Sequence, residues 1–147
     1  MSARPDGNGR ARPSLVLAPI VFLAHDLEET WRVATMNERA REVRRRLPGP
    51  IARRVERLRY THRAMATAAA TLFVAQVCLL AASSRSERGR RLLQLALLLR
   101  LLNGTAHLAE TAVMRRYVPG VATSPAVMAA AGLALRAISR PAAPAAP

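Results

Sequence analysis

The chain has 147 residues, enough for one domain of three or four helices but too few for two independent cores. Its 23 basic residues are all arginines, against nine acidic residues, so the formal net charge is +14. Aromatic residues make up only 3% and no nucleic-acid-binding motif occurs, so we expect no nucleic-acid partner. The arginines lie between apolar segments, which predicts a lipid bilayer with anionic headgroups as the partner.

Four segments have the length and apolar character of membrane-spanning helices. The first runs from about residue 14 to 33 and is apolar only as far as Ala24. The others are residues 64–82, which carry no charge, residues 92 to about 114, and an alanine-rich segment from about 121 to 138. We therefore predict an all-α fold: an integral membrane four-helix bundle over residues 14–139, in a multi-pass protein of the cell membrane.

The segment between the first two predicted helices is rich in arginine on most of its faces. Residues 47–50 (LPGP) break it in two, which predicts a short helical hairpin lying on anionic lipid. We expect residues 1–13 to be disordered, and also the proline- and alanine-rich tail of residues 140–147.

Ionisable side chains follow directly behind the apolar half of the first helix. At about 100° per residue, His25, Glu28 and Glu29 fall within one arc of the helix, and Arg32 returns to the same face. An acidic side chain at the middle of a bilayer costs about 2.5–3.5 kcal/mol. Protonation, an arginine or a metal ion must therefore compensate these carboxylates.

The third predicted helix repeats this pattern. Its AHLAET echoes the AHDLEET of residues 24–30, and His107 and Glu110 again stand three residues apart on one face. The same face continues back through Asn103 to Arg100. We therefore expect the two elements to occupy corresponding positions of two pseudo-repeated helical hairpins.

Helices one and three of an up-down-up-down bundle run parallel, so both polar turns lie toward the same end. We therefore expect His25 and His107 to face each other, with ring nitrogens about 3–5 Å apart if they share a metal ion. Imidazole and carboxylate groups together suit divalent zinc, iron or manganese. The alternative is a set of polar pairs that hold the two helices together. The predicted ligands are His25, Glu28, Glu29, His107 and Glu110, of which Glu28 and Glu29 are also the candidate catalytic residues. Arg32 and Arg100 are expected to balance the charge of a remaining carboxylate, and Asn103 is expected to form a hydrogen bond to a ligand.

Three ordered motifs resemble those of the HXXEE family of small membrane proteins: HDLEE at residues 25–29, NGTAH at 103–107 and YVPG at 117–120. The resemblance spans roughly residues 15–135. It implies a membrane protein whose function is uncharacterised, with a suspected enzymatic or metal-binding role. The residues that it places at the family's motif positions are His25, Glu28, Glu29, His107, Tyr117, Pro119 and Gly120.

These observations leave three function hypotheses open. The first is a membrane-embedded, metal-dependent enzyme in which a remaining glutamate acts as general base. The second is a transporter or proton-relay protein without enzymatic activity that uses the same histidines and glutamates. The third is a soluble or peripheral helical bundle whose arginines bind anionic partners.

Overall fold

The structure is a computed structural model that describes residues 13–56 and 60–139. Within these residues the fold is all-helical and contains no strand, which confirms the all-α part of the predicted fold. The helices are α1 (Pro13–Trp31), α2 (Val33–Arg46), α3 (Gly49–Glu56), α4 (His62–Ser83), α5 (Glu87–Met114) and α6 (Ser124–Ser139).

Local sequence signals set several of the helix boundaries. The Thr61 hydroxyl accepts a hydrogen bond from the backbone N–H of Ala64 and caps the start of α4, and Ser86 caps α5 in the same way. Pro48 forces Leu47 into an extended conformation, which ends α2. Two of the six described helices, α2 and α3, are formed by the arginine-rich segment, where the sequence predicted a short helical hairpin between the membrane-length helices.

Four of the helices pack against one another. Helix α1 contacts α4 and α6, and α5 contacts the same two helices from the other side.

Glycines allow two pairs of neighbouring segments to approach each other closely. A Cβ on Gly89 of α5 would overlap the carbonyl group of Ala82, and one on Gly104 would lie 2.8 Å from Met128 Cγ. The buried apolar core consists of Ala18, Phe22, Leu93, Leu97, Val127, Ala131 and Ala134.

Polar side chains share the interior of this packing with the apolar core, while many other large apolar side chains lie outside. Among the described residues, the buried polar ones are His25, Asp26, Gln76, Arg100, His107 and Ser124. By contrast, α4 buries only Ala69 and Gln76, and leucines such as Leu72 and Leu99 are exposed. Helices α4 and α5 are long and apolar enough to cross a membrane, while α6 is apolar but shorter.

Candidate metal centre

Three of the residues predicted to form a site come together between α1 and α5. One ring nitrogen of His25, one of His107 and a carboxylate oxygen of Glu29 all lie within 4.8 Å of one another. The two imidazole centroids are 5.2 Å apart, and Glu29 Oε1 lies 2.9 Å from His107 Nε2 and 3.9 Å from His25 Nε2. The structure thus brings together the two histidines that the sequence expected to meet.

The imidazole of His25 is fully buried and held at both nitrogens. Its Nδ1 lies 2.8 Å from the Thr123 hydroxyl, which donates to Glu28 Oε2 at 2.6 Å. Because an ionised carboxylate only accepts, the single Thr123 proton goes to Glu28, and the hydroxyl accepts from His25 Nδ1–H. The lone pair of the neutral ring is then on Nε2, where the Asn103 amide nitrogen lies 3.1 Å away.

Thr123 is therefore a site residue that sequence reasoning missed. It lies 98 residues from His25 and outside the three motifs, so no local pattern could have identified it. The expected contact of Asn103 with a histidine of the site is present. Metal-binding histidines commonly donate their second N–H to a carboxylate or another acceptor, and His25 has this arrangement through Thr123.

Glu28 is surrounded by donors from the loop between α5 and α6. Its Oε1 accepts from the Tyr117 hydroxyl and from the backbone N–H groups of Gly120 (3.1 Å) and Ala122 (3.4 Å). Its Oε2 accepts from both the backbone and the hydroxyl of Thr123. Since a carboxylate offers about four lone-pair positions, these donors saturate it. Glu28 anchors the loop, and we do not assign it the ligand or base role predicted from the sequence.

This contact explains why the first and third motifs belong together. Glu28 of HDLEE binds both Tyr117 and Gly120 of YVPG, so each motif completes the other's hydrogen bonds. Burial raises the pKa of the Tyr117 phenol above its usual value, and its hydrogen bond to Glu28 raises it further. Tyr117 therefore stays protonated and continues to donate at neutral pH.

Gly120 forms one wall of the centre. Its φ of 87° lies in the region that favours glycine. A Cβ at this position would lie 2.8 Å from His25 Cε1, 3.0 Å from His107 Nε2 and 3.2 Å from Glu29 Oε1. The preceding Pro119 is fully buried and fixes the backbone as it enters this turn. The backbone of the loop thus packs directly against the three candidate ligands.

The predicted counter-charges lie elsewhere. Arg100 does balance a buried carboxylate, but that carboxylate is Asp26, which it binds with two hydrogen bonds of 2.6 and 2.8 Å. With its amide oxygen turned toward Arg100, Gln76 accepts two further hydrogen bonds of 2.8 and 2.9 Å. Arg32 instead lies over the ring of Tyr117, 5.1 Å from its centroid.

Glu110 is also separated from the group of His25, Glu29 and His107. It forms an ion pair with Arg39 of α2, a residue that sequence reasoning did not single out. Glu110 is one turn nearer the end of α5 than His107, and α2 lies at that end. A contact between these helices could not be predicted from helical periodicity, because it depends on how α2 folds back.

No curated protein and no solved structure matches the chain significantly. The model of a family described as "Protein of unknown function with HXXEE motif" matches residues 16–135. This range covers most of the chain and contains the HDLEE, NGTAH and YVPG motifs whose residues meet around His25. The chain therefore belongs to this HXXEE family.

Proposed function

We propose that this protein is a multi-pass membrane protein that binds a divalent metal ion through His25, Glu29 and His107 and uses it as a metal-dependent enzyme. The observation that carries the proposal is the mutual distance of at most 4.8 Å among three potential ligand atoms in the interior of the helical packing. Two imidazoles and one carboxylate are a ligand set of catalytic zinc sites, in which a further coordination position stays open.

Unsatisfied polar atoms favour a metal ion over simple polar pairing. His107 Nε2 is buried and makes no hydrogen bond among the described residues, although Glu29 Oε1 lies 2.9 Å away. Thr111 Oγ1, one turn further along α5, is likewise unpartnered. Buried polar atoms normally have partners, and polar pairs that merely joined two helices would use this nitrogen.

The chain's own residues would hold and orient the ion. Glu29 and the two histidines would supply the ligands, and the ion would replace the Asn103 amide at the lone pair of His25 Nε2. The Thr123 hydroxyl fixes the tautomer of His25, and the Gly120 backbone limits the space beside the ligands. A bound divalent ion would supply Lewis acidity toward a substrate oxygen or a water molecule.

Metal analysis of the purified protein tests this proposal. We expect about one equivalent of zinc, iron or manganese per chain, and loss of most of it in His25→Ala and His107→Ala. The matched control is His62→Ala, since His62 is exposed at the start of α4. Elemental analysis by mass spectrometry measures the content. Equal metal content in all three variants would remove the support for the centre.

Thr123 gives a second test, because its hydroxyl is argued to position His25. We expect Thr123→Val to weaken metal binding about 10- to 100-fold, the usual effect of losing such a supporting group. Thr123→Ser keeps the hydroxyl and should bind metal as the wild type does. Competition with a chelator of known affinity measures both variants. Equal weakening in the serine and valine variants would contradict the positioning role.

The distribution of side chains supports a place in the membrane. Tryptophan and tyrosine favour membrane interfaces, and the chain has three such residues: Trp31, Tyr60 and Tyr117. All three lie at one end of the helical packing. At this end the hydrogen bond from Tyr117 to Glu28 joins α1 to the α5–α6 loop. Trp31 is 85% exposed. His25 and His107 lie six and seven residues from the ends of their helices, or about 9–10 Å below this end at 1.5 Å per residue.

A membrane location predicts resistance to extraction. We expect the protein to stay in the membrane pellet after washing with sodium carbonate or high salt, because α4 and α5 expose apolar side chains along lengths that can cross a bilayer. Immunoblots of pellet and supernatant measure the outcome. Release by salt alone would instead favour a peripheral protein held by its arginines.

A proton relay is a second candidate, favoured by the hydrogen-bonded chain from Glu28 through Thr123 to His25 and Asn103. Such a chain could pass a proton through the interior of a membrane protein. Purified wild-type protein that contains no metal, together with proton flux in vesicles that His25→Ala abolishes, would favour the relay over the enzyme.

A further inference from the structure

The proposed centre becomes progressively more accessible toward α2. Side-chain exposure rises from 0% at His25 to 10% at His107 and 17% at Glu29, and then to 23% at Glu110 and 27% at Arg39. Glu110 follows His107 by three residues on α5, so the Arg39–Glu110 pair lies about one helical turn from the centre. A substrate that reaches the centre from this side passes Arg39 and Glu110.

Two arginines and two glutamates form ion pairs on this side of the centre, and we call this cluster the mouth: Arg39, Glu42, Glu110 and Arg116. Arg39 pairs with Glu110, while Arg116 donates to Glu42 Oε2 at 2.6 Å. The hydrogen bond from Arg116 lowers the pKa of the Glu42 carboxyl, which keeps it ionised. Both pairs join α2 to α5 or to the residues that follow it, so α2 lies across the mouth.

The charges at the mouth and centre favour an anion. A divalent ion and the Glu29 carboxylate would sum to +1, while the two ion pairs of the mouth are neutral. Burial lowers the pKa of the Arg39 guanidinium, and the Tyr60 phenol opposes this effect. Arg39 nevertheless stays charged, since arginine keeps its proton in proteins.

The Glu110 carboxylate indicates the kind of group that Arg39 can bind here. The guanidinium fork matches the oxygens of carboxylate and phosphate groups, and Arg39 already holds one such group about one helical turn from His107. We propose that the substrate carries an anionic group, phosphate or carboxylate, and that Arg39 and Arg116 bind it at the mouth. This inference rests on the proposed function, and the incoming anion replaces Glu110 as the partner of Arg39.

Phosphate binding tests the proposal with opposite expectations for the two members of one ion pair. Inorganic phosphate is titrated calorimetrically into the full-length protein in an uncharged detergent, with and without bound Co²⁺. Arg39→Gln should weaken binding about tenfold or more, the effect of one lost charge-assisted hydrogen bond. Glu110→Gln should strengthen binding, since it frees Arg39 from its competing partner. Arg41→Gln removes the same charge from an exposed position of α2 and should change the affinity less than about twofold.

Equal weakening in Arg39→Gln and Arg41→Gln, or weaker binding in Glu110→Gln, would overturn the proposal. If Co²⁺ does not bind but phosphate binding still depends on Arg39, the anion site stands and the proposed metal centre fails. Repeating the titration in nanodiscs of phosphatidylglycerol or phosphatidylcholine identifies the source of the anion. Competition only by phosphatidylglycerol assigns the site to a lipid headgroup, and equal affinity in both assigns it to a free anion.

Discussion

Arg100→Met is expected to lower the free energy of unfolding by about 3–5 kcal/mol, because it leaves the carboxylate of Asp26 buried without its partner. The Asp26 carboxylate accepts both of its hydrogen bonds among the described residues from Arg100, and the side chain is only 8% exposed. Gln76 loses its partner in the same substitution. Denaturant or thermal unfolding in a mild detergent measures the change.

The double variant Asp26→Leu with Arg100→Met separates the cost of an unpaired charge from the value of the pair. Apolar replacement of both members of a buried ion pair is often neutral or stabilising, so the double variant should recover most of the lost stability. Arg91→Met is the control, since that side chain is 77% exposed and its loss should change stability by less than about 0.5 kcal/mol. A loss below about 1 kcal/mol in Arg100→Met would contradict the importance of this network.

Gly120→Ala is expected to abolish metal binding and to destabilise the fold by about 1–3 kcal/mol from backbone strain alone, because its φ of 87° disfavours any other residue. The added Cβ would also lie 2.8 Å from His25 Cε1. His25 cannot move away without breaking its contacts with Thr123 and Asn103. The candidate ligands must therefore separate. Metal content and thermal unfolding measure the two effects.

Gly132→Ala is the matched control for this substitution. Nothing lies within 4 Å of a Cβ built on Gly132, which is inside α6. Alanine there should stabilise the helix by about 0.5–1 kcal/mol and leave metal binding unchanged. Retention of full metal content in Gly120→Ala would show that the loop backbone does not limit the centre.

Helical periodicity was enough to predict the pairing of His25 with His107. Each histidine stands on a polar face of an otherwise apolar helix, and the similar distances from the helix ends place them at similar depth once the helices run parallel. The break after Leu47 was equally predictable, because it follows from the local conformational restriction before Pro48. These features depend on short stretches of chain.

The roles of the acidic residues could not be predicted in this way. Glu28 and Glu29 are neighbours within one arc of α1, yet Glu28 binds the α5–α6 loop while Glu29 faces His107. Periodicity groups residues within an arc of about 100° but does not say which packing partner each one meets. For the same reason, periodicity could not predict the pairing of Glu110 with Arg39.

The sequence by itself therefore determined the helices, the order of the motifs, the membership of the family and the histidine pair. Only the tertiary structure decided that Arg100 pairs with Asp26 and not with a glutamate, and that Thr123 forms a hydrogen bond with His25. It also decided that Arg39 pairs with Glu110 at the mouth. The physical reason is distance along the chain. Hydrogen bonds between residues 74 or 98 positions apart form only after the helices have packed, whereas caps and proline breaks act within a few residues.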